Sequence, residues 1–388
     1  MNRLWLVSLL MSVLTLSITG CWSKMEINDR SFVSGLFIDV TDVPGEVELT
    51  LVTPLPNRFA SMGQSSGTGS ASPVAIISEK ADSLPEAFRK IQESLTRKLT
   101  WGQTKVIVLG RKYAEKGVEE LVEWGARQQS FQLKSYLFIA EGRAKDITKL
   151  SPIYEQSPSE VLREFANRRT LLNTRLKDVL QSISDHQGLA VNLLKIKNKT
   201  MISEPEPSSM WVVMNGAALL QSTKMIGTLS ESEARGVGWV YRSLKDPQYT
   251  VMLREGRCSV NLHHQKAAIK PVLQAGGHLF RIKMTAGADI VAADTKLDVS
   301  KPEVLHSIEQ AINDKLTADL RSALLKSKQV KADVLQLGSY LEWWYPAEWG
   351  RLKAMWPDYY KEKVRIDILS RVEIKHYNGE LKPIWNLK

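Results

Sequence analysis

The chain has 388 residues, with 52 lysines and arginines against 42 aspartates and glutamates, and only two cysteines. A hydrophobic share of 43% and a charged share of 24% are those of a folded globular protein, and two cysteines exclude a disulfide-stapled scaffold or a cysteine-built zinc site. The net charge of +10 is spread along the chain without a long basic run, which suits anionic headgroups, an acidic partner surface or simply a solvated basic exterior.

Residues 1–20 read as a lipoprotein signal peptide. Arg3 supplies a short positive start, and residues 4–18 form an uncharged apolar run. At about 15 residues this run fits a signal-peptide core and falls short of the ~20 needed to span a bilayer. Thr19, Gly20 and Cys21 follow, and the run ITGC has the pattern at which bacteria attach a diacylglyceryl group to a cysteine before cleavage. Cys21 is therefore the expected lipidation site, in preference to an ordinary secretory signal or an uncleaved anchor. Only Cys258 then remains, so no internal disulfide is possible, and its setting in GRCSVNL predicts a buried strand residue. No later stretch approaches bilayer-spanning length, so the mature chain is expected to be anchored to a membrane and exported, which leaves no role for nucleic acid.

The first half, 21–200, is expected to be one domain of alternating strands and helices. Strands are predicted over 32–40 and 46–53 around the turn TDVPG, then a flexible Gly/Ser-rich loop over 57–72. Its GTGS lacks the lysine and helix of a phosphate loop. A strand at 74–78 leads to a helix over 83–98, with Ser83 and Glu86 as capping box and Leu84, Phe88, Ile91 and Leu95 on one face. Strands at 105–109 and 133–140 alternate with helices at 114–127 and 144–150. Ser157, Pro158 and Glu160 start another helix, 174–184 forms a further one, and a strand at 189–196 is expected to close the domain.

SEPEPSS, within 201–210, reads as a Pro-rich linker. The second domain, 211–388, changes pattern. Strands are expected at 216–220, 225–229, 249–253, 258–263, 268–273 and 278–291, interrupted by a helix capped by Ser230 and Glu233. A long helix over about 302–326 follows, then a strand around Val334, a helix near 347–355 and a last strand over 364–374. The whole is α+β, with a mixed sheet first and an antiparallel strand-rich domain second.

Chemistry-bearing constellations are missing from this pattern. HExxH, GxSxG, a Walker loop and a zinc-type cysteine pair are all absent from the sequence. His263 and His264 are adjacent on a predicted strand, where neighbours point to opposite faces, so they read as ordinary strand surface. Glu119, Glu120, Glu231 and Glu233 fall in helical first turns or on solvated faces, where carboxylates favour the helix dipole. The densest unusual composition is 340–360, with Tyr340, Trp343, Trp344, Tyr345, Trp349, Trp356, Tyr359 and Tyr360. Such a segment is either domain core or a binding surface rich in the residues that dominate interfaces.

Several stretches, taken in order, resemble the Ger(x)C family, the lipoprotein subunit of spore germinant receptors in endospore-forming bacteria. They are Cys21-Trp22, EIND (26–29), FVSGLFIDV (32–40), TRKLTWGQTKVIVLG (96–110) and YLFIAEGRAKDI (136–147), then GAALL (216–220), EARGVGWV (233–240) and KADVLQLG (331–338), with Pro346, Trp349 and Trp356 beyond. The chain departs from the family at Gln103, where His is frequent, and at Gln336, where Gly is common. The resemblance implies a multi-domain α+β ectodomain on the outer face of the spore inner membrane. It implies two integral membrane subunits, A and B, as partners, and a role in the response to nutrient germinants. It brings no catalytic residue, cofactor or metal, and does not establish a ligand for this subunit. The competing reading, a solute-binding lipoprotein capturing a small nutrient, would suit two similar α/β lobes, and these halves differ. Residues 32–40, near the anchor, and 340–360 are the two expected contact regions.

Overall fold

The computed structural model describes residues 26–59, 72–128, 130–150, 152–200, 209–274 and 276–377, with Arg3, Trp5, Val7 and Ser8 near the amino terminus. Cys21, most of the Gly/Ser-rich loop and the segment 201–208 lie outside the described residues.

In chain order the first ten strands are β1 (Arg30–Phe32), β2 (Gly35–Val40), β3 (Val47–Pro54), β4 (Val74–Ala81), β5 (Lys98–Thr100), β6 (Val106–Gly110), β7 (Tyr136–Ala140), β8 (Gly188–Lys199), β9 (Ser209–Gln221) and β10 (Lys224–Leu229). β1 and β5 form a short parallel pair, and the other eight make one sheet in the order β10-β9-β8-β7-β6-β2-β3-β4. The middle strands β8, β7, β6 and β2 run parallel, and antiparallel strands flank them on both sides. Parallel strands are covered on both faces, which is why β6 reads VIVLG and is buried throughout.

Helices α1 (Leu84–Glu93), α2 (Arg111–Lys116), α3 (Glu119–Arg127), α4 (Ala144–Ile147), α5 (Pro158–Arg168) and α6 (Leu176–Ser184) supply that cover. Leu36, Ile38, Leu49, Ile107 and Leu109 face α1, α2, α3 and α6, whereas Phe37, Val52, Val106, Val108 and Phe138 face α4 and α5. α1 is shorter than its apolar spacing predicts. Gln92 ends it by accepting from the Leu99 N–H at 2.8 Å and donating to the Arg97 carbonyl at 3.0 Å, which diverts the chain into β5. The single helix expected over 114–127 is two, because Gly117 adopts φ 134° between α2 and α3.

The second sheet contains β11 (Gln248–Leu253), β12 (Gly256–Gln274), β13 (Gly277–Ala293) and β14 (Val364–Tyr377), in that order. The first three are antiparallel, and β14 joins β13 in parallel. That last connection carries α8 (Pro302–Gln329), α9 (Leu337–Trp344), α10 (Pro346–Leu352) and α11 (Trp356–Glu362), while α7 (Glu231–Val240) precedes the sheet. The reciprocal capping box of Ser230 and Glu233 starts α7, as their spacing predicts. Ile308, Ile312, Leu316, Leu320 and Leu324 along α8 are buried in this core.

Three sequence expectations change here. The strands expected at 258–263 and 268–273 are one strand, β12, bulged between His263 and Lys266. The segment around Val334 is a buried turn rather than a strand. The sheet of the first half does not close at 196, because β9 pairs with β8 from Lys199↔Ser209 to Gly188↔Gln221. The predicted linker 201–210 therefore joins neighbouring strands of one sheet. Leu171, Leu172, Ala190, Ala217 and Leu219 further share a core with Val334, Leu335, Trp349 and Trp356, so the halves are packed together.

Candidate functional site

Three regions of the molecule bear on function, and the first two are the expected contact regions. Most of residues 32–40 are interior, and only Phe32, Ser34 and Val40 are partly exposed. Leu36, Phe37 and Ile38 are fully buried, because β2 lies between β3 and β6. What reaches solvent nearby is the rim just before the parallel strands begin. There Lys105 donates its N–H to the Ser34 carbonyl at 3.0 Å, and Tyr136 donates to the Lys105 carbonyl at 2.8 Å. Ser34 and Ser159 hydroxyls meet at 2.9 Å, bringing the start of α5 to the same rim. A groove of about 400 Å³ opens there, lined by Phe32, Ser34, Pro54, Lys105, Glu160 and Arg163. Gln103, one departure from the family pattern, also lines it.

The aromatic segment divides between the two readings. Trp349, Trp356 and Tyr360 are core, and the Trp349 and Trp356 rings meet edge to face at 5.2 Å. Trp343 and Trp344 are 70% and 53% exposed. Trp343 rests edge-on against Tyr340 at 5.1 Å, and Lys270 on β12 lies 5.6 Å over the Trp344 ring. Exposed indoles held by ring and cation contacts form a preorganised apolar surface.

Beneath that surface lies a polar group that sequence reading did not single out. Asp333 is buried, and its Oδ2 accepts from Trp356 Nε1 at 2.9 Å and from the Gly338 N–H at 3.0 Å. Burial pushes its carboxyl up to about 6, against the lowering influence of these N–H groups. One turn away, buried Gln187 and Ser339 exchange hydrogen bonds at 3.0 and 3.3 Å, tying the loop before β8 to α9. Gly188 and Gly338 permit this approach. A Cβ on Gly188 would stand 2.6 Å from the Ala332 carbonyl carbon, and one on Gly338 2.5 Å from the Trp349 ring. The signal available in sequence was Asp333 flanked by apolar residues in KADVLQLG.

The third region is a crevice at the carboxyl ends of β2, β6 and β7, where strand order reverses, the usual ligand position in open α/β sheets. Its volume is about 250 Å³, below the range of small-molecule sites. Several of its charged side chains are already engaged, while Lys80 and Lys112 on its lining are in no ion pair among the described residues. Asp39 accepts from the Ala144 and Lys145 N–H groups at 2.7 and 2.8 Å, Arg111 pairs with Glu115, and Arg143 pairs with Glu48. Burial, the largest influence, raises the Asp39 carboxyl above its ordinary value. For Glu48 burial also acts upward, yet Lys145, Ser78 and Arg143 together hold it below.

The histidine pair corrects an expectation. His264 adopts φ 52° in the β12 bulge, so the two rings meet, with Nδ1 atoms 2.7 Å apart, and His263 Nε2 lies 3.2 Å from Asp289. Strand alternation fails there because a bulge interrupts it. Among the described residues no group of three or more His, Cys, Asp or Glu is placed to hold a metal ion. Cys258 is buried as expected, and burial pushes its thiol up to about 11.

Comparison with known proteins gives the class. Residues 23–196 match the spore germination protein N-terminal domain, and residues 215–378 match the spore germination B3/GerAC-like C-terminal domain. The chain belongs to this family, the Ger(x)C spore germination proteins. It is 23% identical to spore germination protein KC of Bacillus subtilis (strain 168), over 99% of this chain and 98% of that one. It is 24% identical to spore germination protein B3 of the same organism, over 91% and 92% of the two chains. The crystal structure of the GerBC protein shares the fold, with a TM-score of 0.56 at 20% identity, covering 88% of this chain and 96% of that one. Among the described residues no helix is long and apolar enough to cross a membrane.

Proposed function

We propose that this chain is a lipid-anchored subunit of a spore nutrient germinant receptor, required for germination and acting through protein contacts with two integral membrane subunits. Lipid on Cys21 holds it at the outer face of the spore inner membrane, and it performs no catalysis. The exposed Trp343 and Trp344 carry the contact part of this reading, since Trp is enriched among the residues that dominate interface energetics. Anchoring favours such contacts, because confinement to one membrane raises the partner's effective concentration. The solute-binding alternative would need a site other than the crevice at the carboxyl ends of β2, β6 and β7, whose volume of about 250 Å³ is small for a nutrient.

Co-purification from spore membranes tests the assembly. The native chain should bring two multi-span proteins with it, and recovery of the chain alone would overturn the subunit reading. Cys21→Ala should leave the protein unprocessed or released; a variant that stays on the membrane at mature length removes the lipid from the scheme. Micromolar binding of an amino acid or sugar to the soluble chain, read by calorimetry, would promote the solute-binding alternative.

A further inference from the structure

We propose that the rim at the amino ends of β2, β6 and β7 lies on the membrane surface and binds anionic lipid headgroups, chiefly through Lys98, Lys105 and Lys134. This rests on the reading that Cys21 carries the anchor. From Cys21 to Glu26, where the described fold begins, there are 26 − 21 = 5 peptide steps, and these span at most about 18 Å even when fully extended. The short helical turn Ile27–Asp29 and β1 follow at once, and β1 is fastened to the rim. Val33 donates to the Thr100 carbonyl at 3.0 Å, and the Thr104 hydroxyl to the Val33 carbonyl at 3.2 Å. The tether therefore holds this end of the molecule against the lipid, whatever the orientation of the rest.

The chemistry of the rim fits such a surface. Lys98, Lys105 and Lys134 are exposed and, among the described residues, none is in an ion pair. Arg30 stands directly opposite Lys98 in the β1–β5 register, a like-charge pair that destabilises a sheet unless an anion lies near. Of the nearby acids, Glu160 accepts from the Gln156 N–H and Glu164 pairs with Arg163, while Glu26 and Asp29 are exposed beside Ile27 and Arg30. Exposed Ile27, and Leu133 beside Lys134, add apolar groups at the same level, the mixture found on surfaces that lie in the headgroup layer. The groove lined by Phe32, Pro54, Lys105, Arg163 and Glu160 has room for a headgroup phosphate.

The test uses the unlipidated chain from Trp22 onward, which retains every strand and helix described above. It is sedimented with phosphatidylcholine vesicles, with or without roughly one third phosphatidylglycerol. Each basic residue near an anionic surface contributes about a fivefold factor in binding. Lys105→Glu with Lys134→Glu should thus weaken binding to the anionic vesicles at least tenfold. Lys80→Glu with Lys112→Glu, the same charge change at the opposite ends of the strands, should leave it within about twofold. Failure to bind anionic vesicles, equal binding to pure phosphatidylcholine, or an equal loss in both variants overturns the proposal. The mass of the native protein extracted from membranes reads the Cys21 lipid separately, so a failed anchor and a failed headgroup contact give different results.

Discussion

Trp356 donates its indole N–H to Asp333 Oδ2 across 2.9 Å, in an interior where Asp333 is 1% exposed and Trp356 not at all. The Tyr241 hydroxyl donates to the neighbouring Val334 carbonyl, and Gln187 holds Ser339 just beyond. Four segments, from α7, the loop before β8, the 331–338 turn and α11, are thereby locked around one carboxyl group.

That carboxyl makes stability depend on pH. Burial raises its value in the folded protein from 3.8 to about 6, so the folded state favours the protonated form. The associated stabilisation is complete below the ordinary carboxylate value and is lost as pH rises through about 6. Asp333→Asn keeps an acceptor for Trp356 and Gly338 but cannot ionise. Between about pH 4 and pH 7, wild type should lose up to roughly 3 kcal/mol relative to this variant. Denaturant unfolding across that range measures it, and a gap that does not change with pH would falsify the assignment.

Gln336 adopts φ 53°, in the left-handed region that favours glycine and strains a side chain. Its backbone accepts from the Ser339 N–H and donates to the Asp333 carbonyl, and neither bond needs the side chain. Gln336→Gly should therefore stabilise the protein by about 0.5–1 kcal/mol, seen as a Tm higher by roughly 1–3 °C. A lower Tm would show that the glutamine side chain contributes a contact that outweighs its backbone cost.

Limited proteolysis should cut first within 57–72 and 203–209, where Gly/Ser- and Pro-rich sequence is least protected. A cut between β8 and β9 should not separate the fragments, because these strands pair along most of their length and the halves share a core. Size-exclusion chromatography of the nicked protein should give one peak containing both fragments. Two peaks would mean that the strand pairing is too weak to hold the halves together.

Trp343→Ala with Trp344→Ala removes exposed side chains, so the unfolding free energy should change by less than about 0.5 kcal/mol per site. Capture of the proposed integral membrane partners should nevertheless fall at least tenfold, as expected when hot-spot indoles are lost. Undiminished capture by a folded double variant would move the contact surface elsewhere on the molecule.

The α+β class, the crossover strands and the caps at Ser83, Ser157 and Ser230 were legible because each depends on neighbours within one turn or one strand. The 28-residue helix α8 was legible for the same reason, through its repeating apolar spacing. Most of residues 32–40 is interior, and only its start reaches the rim, because distance along the tether says nothing of burial between β3 and β6. The meeting of His263 and His264 was hidden by a bulge that alternation does not announce. Asp333 was missed because its partners, Gly338 and Trp356, acquire meaning only once α9 and α11 fold back on the 331–338 turn. The aromatic segment showed its composition but not its division, since which indoles face inward depends on three short helices with independent directions.

Because β9 and β10 are laid down against β8, the gap between the two family matches is a poor place to exchange pieces between paralogues. A hybrid joined within 201–208 would require β9 from one parent to follow the register of β8 from another, through Leu189↔Leu220 and Asn192↔Ala217 and across the irregularity after Asn192. A hybrid joined just before Ser230 would transplant α7 and the second sheet whole, leaving the eight-stranded sheet of single origin and only core contacts to be matched. Chimeric proteins built at that second joint should fold where those built at the first do not, and gene recombination within the family faces the same asymmetry.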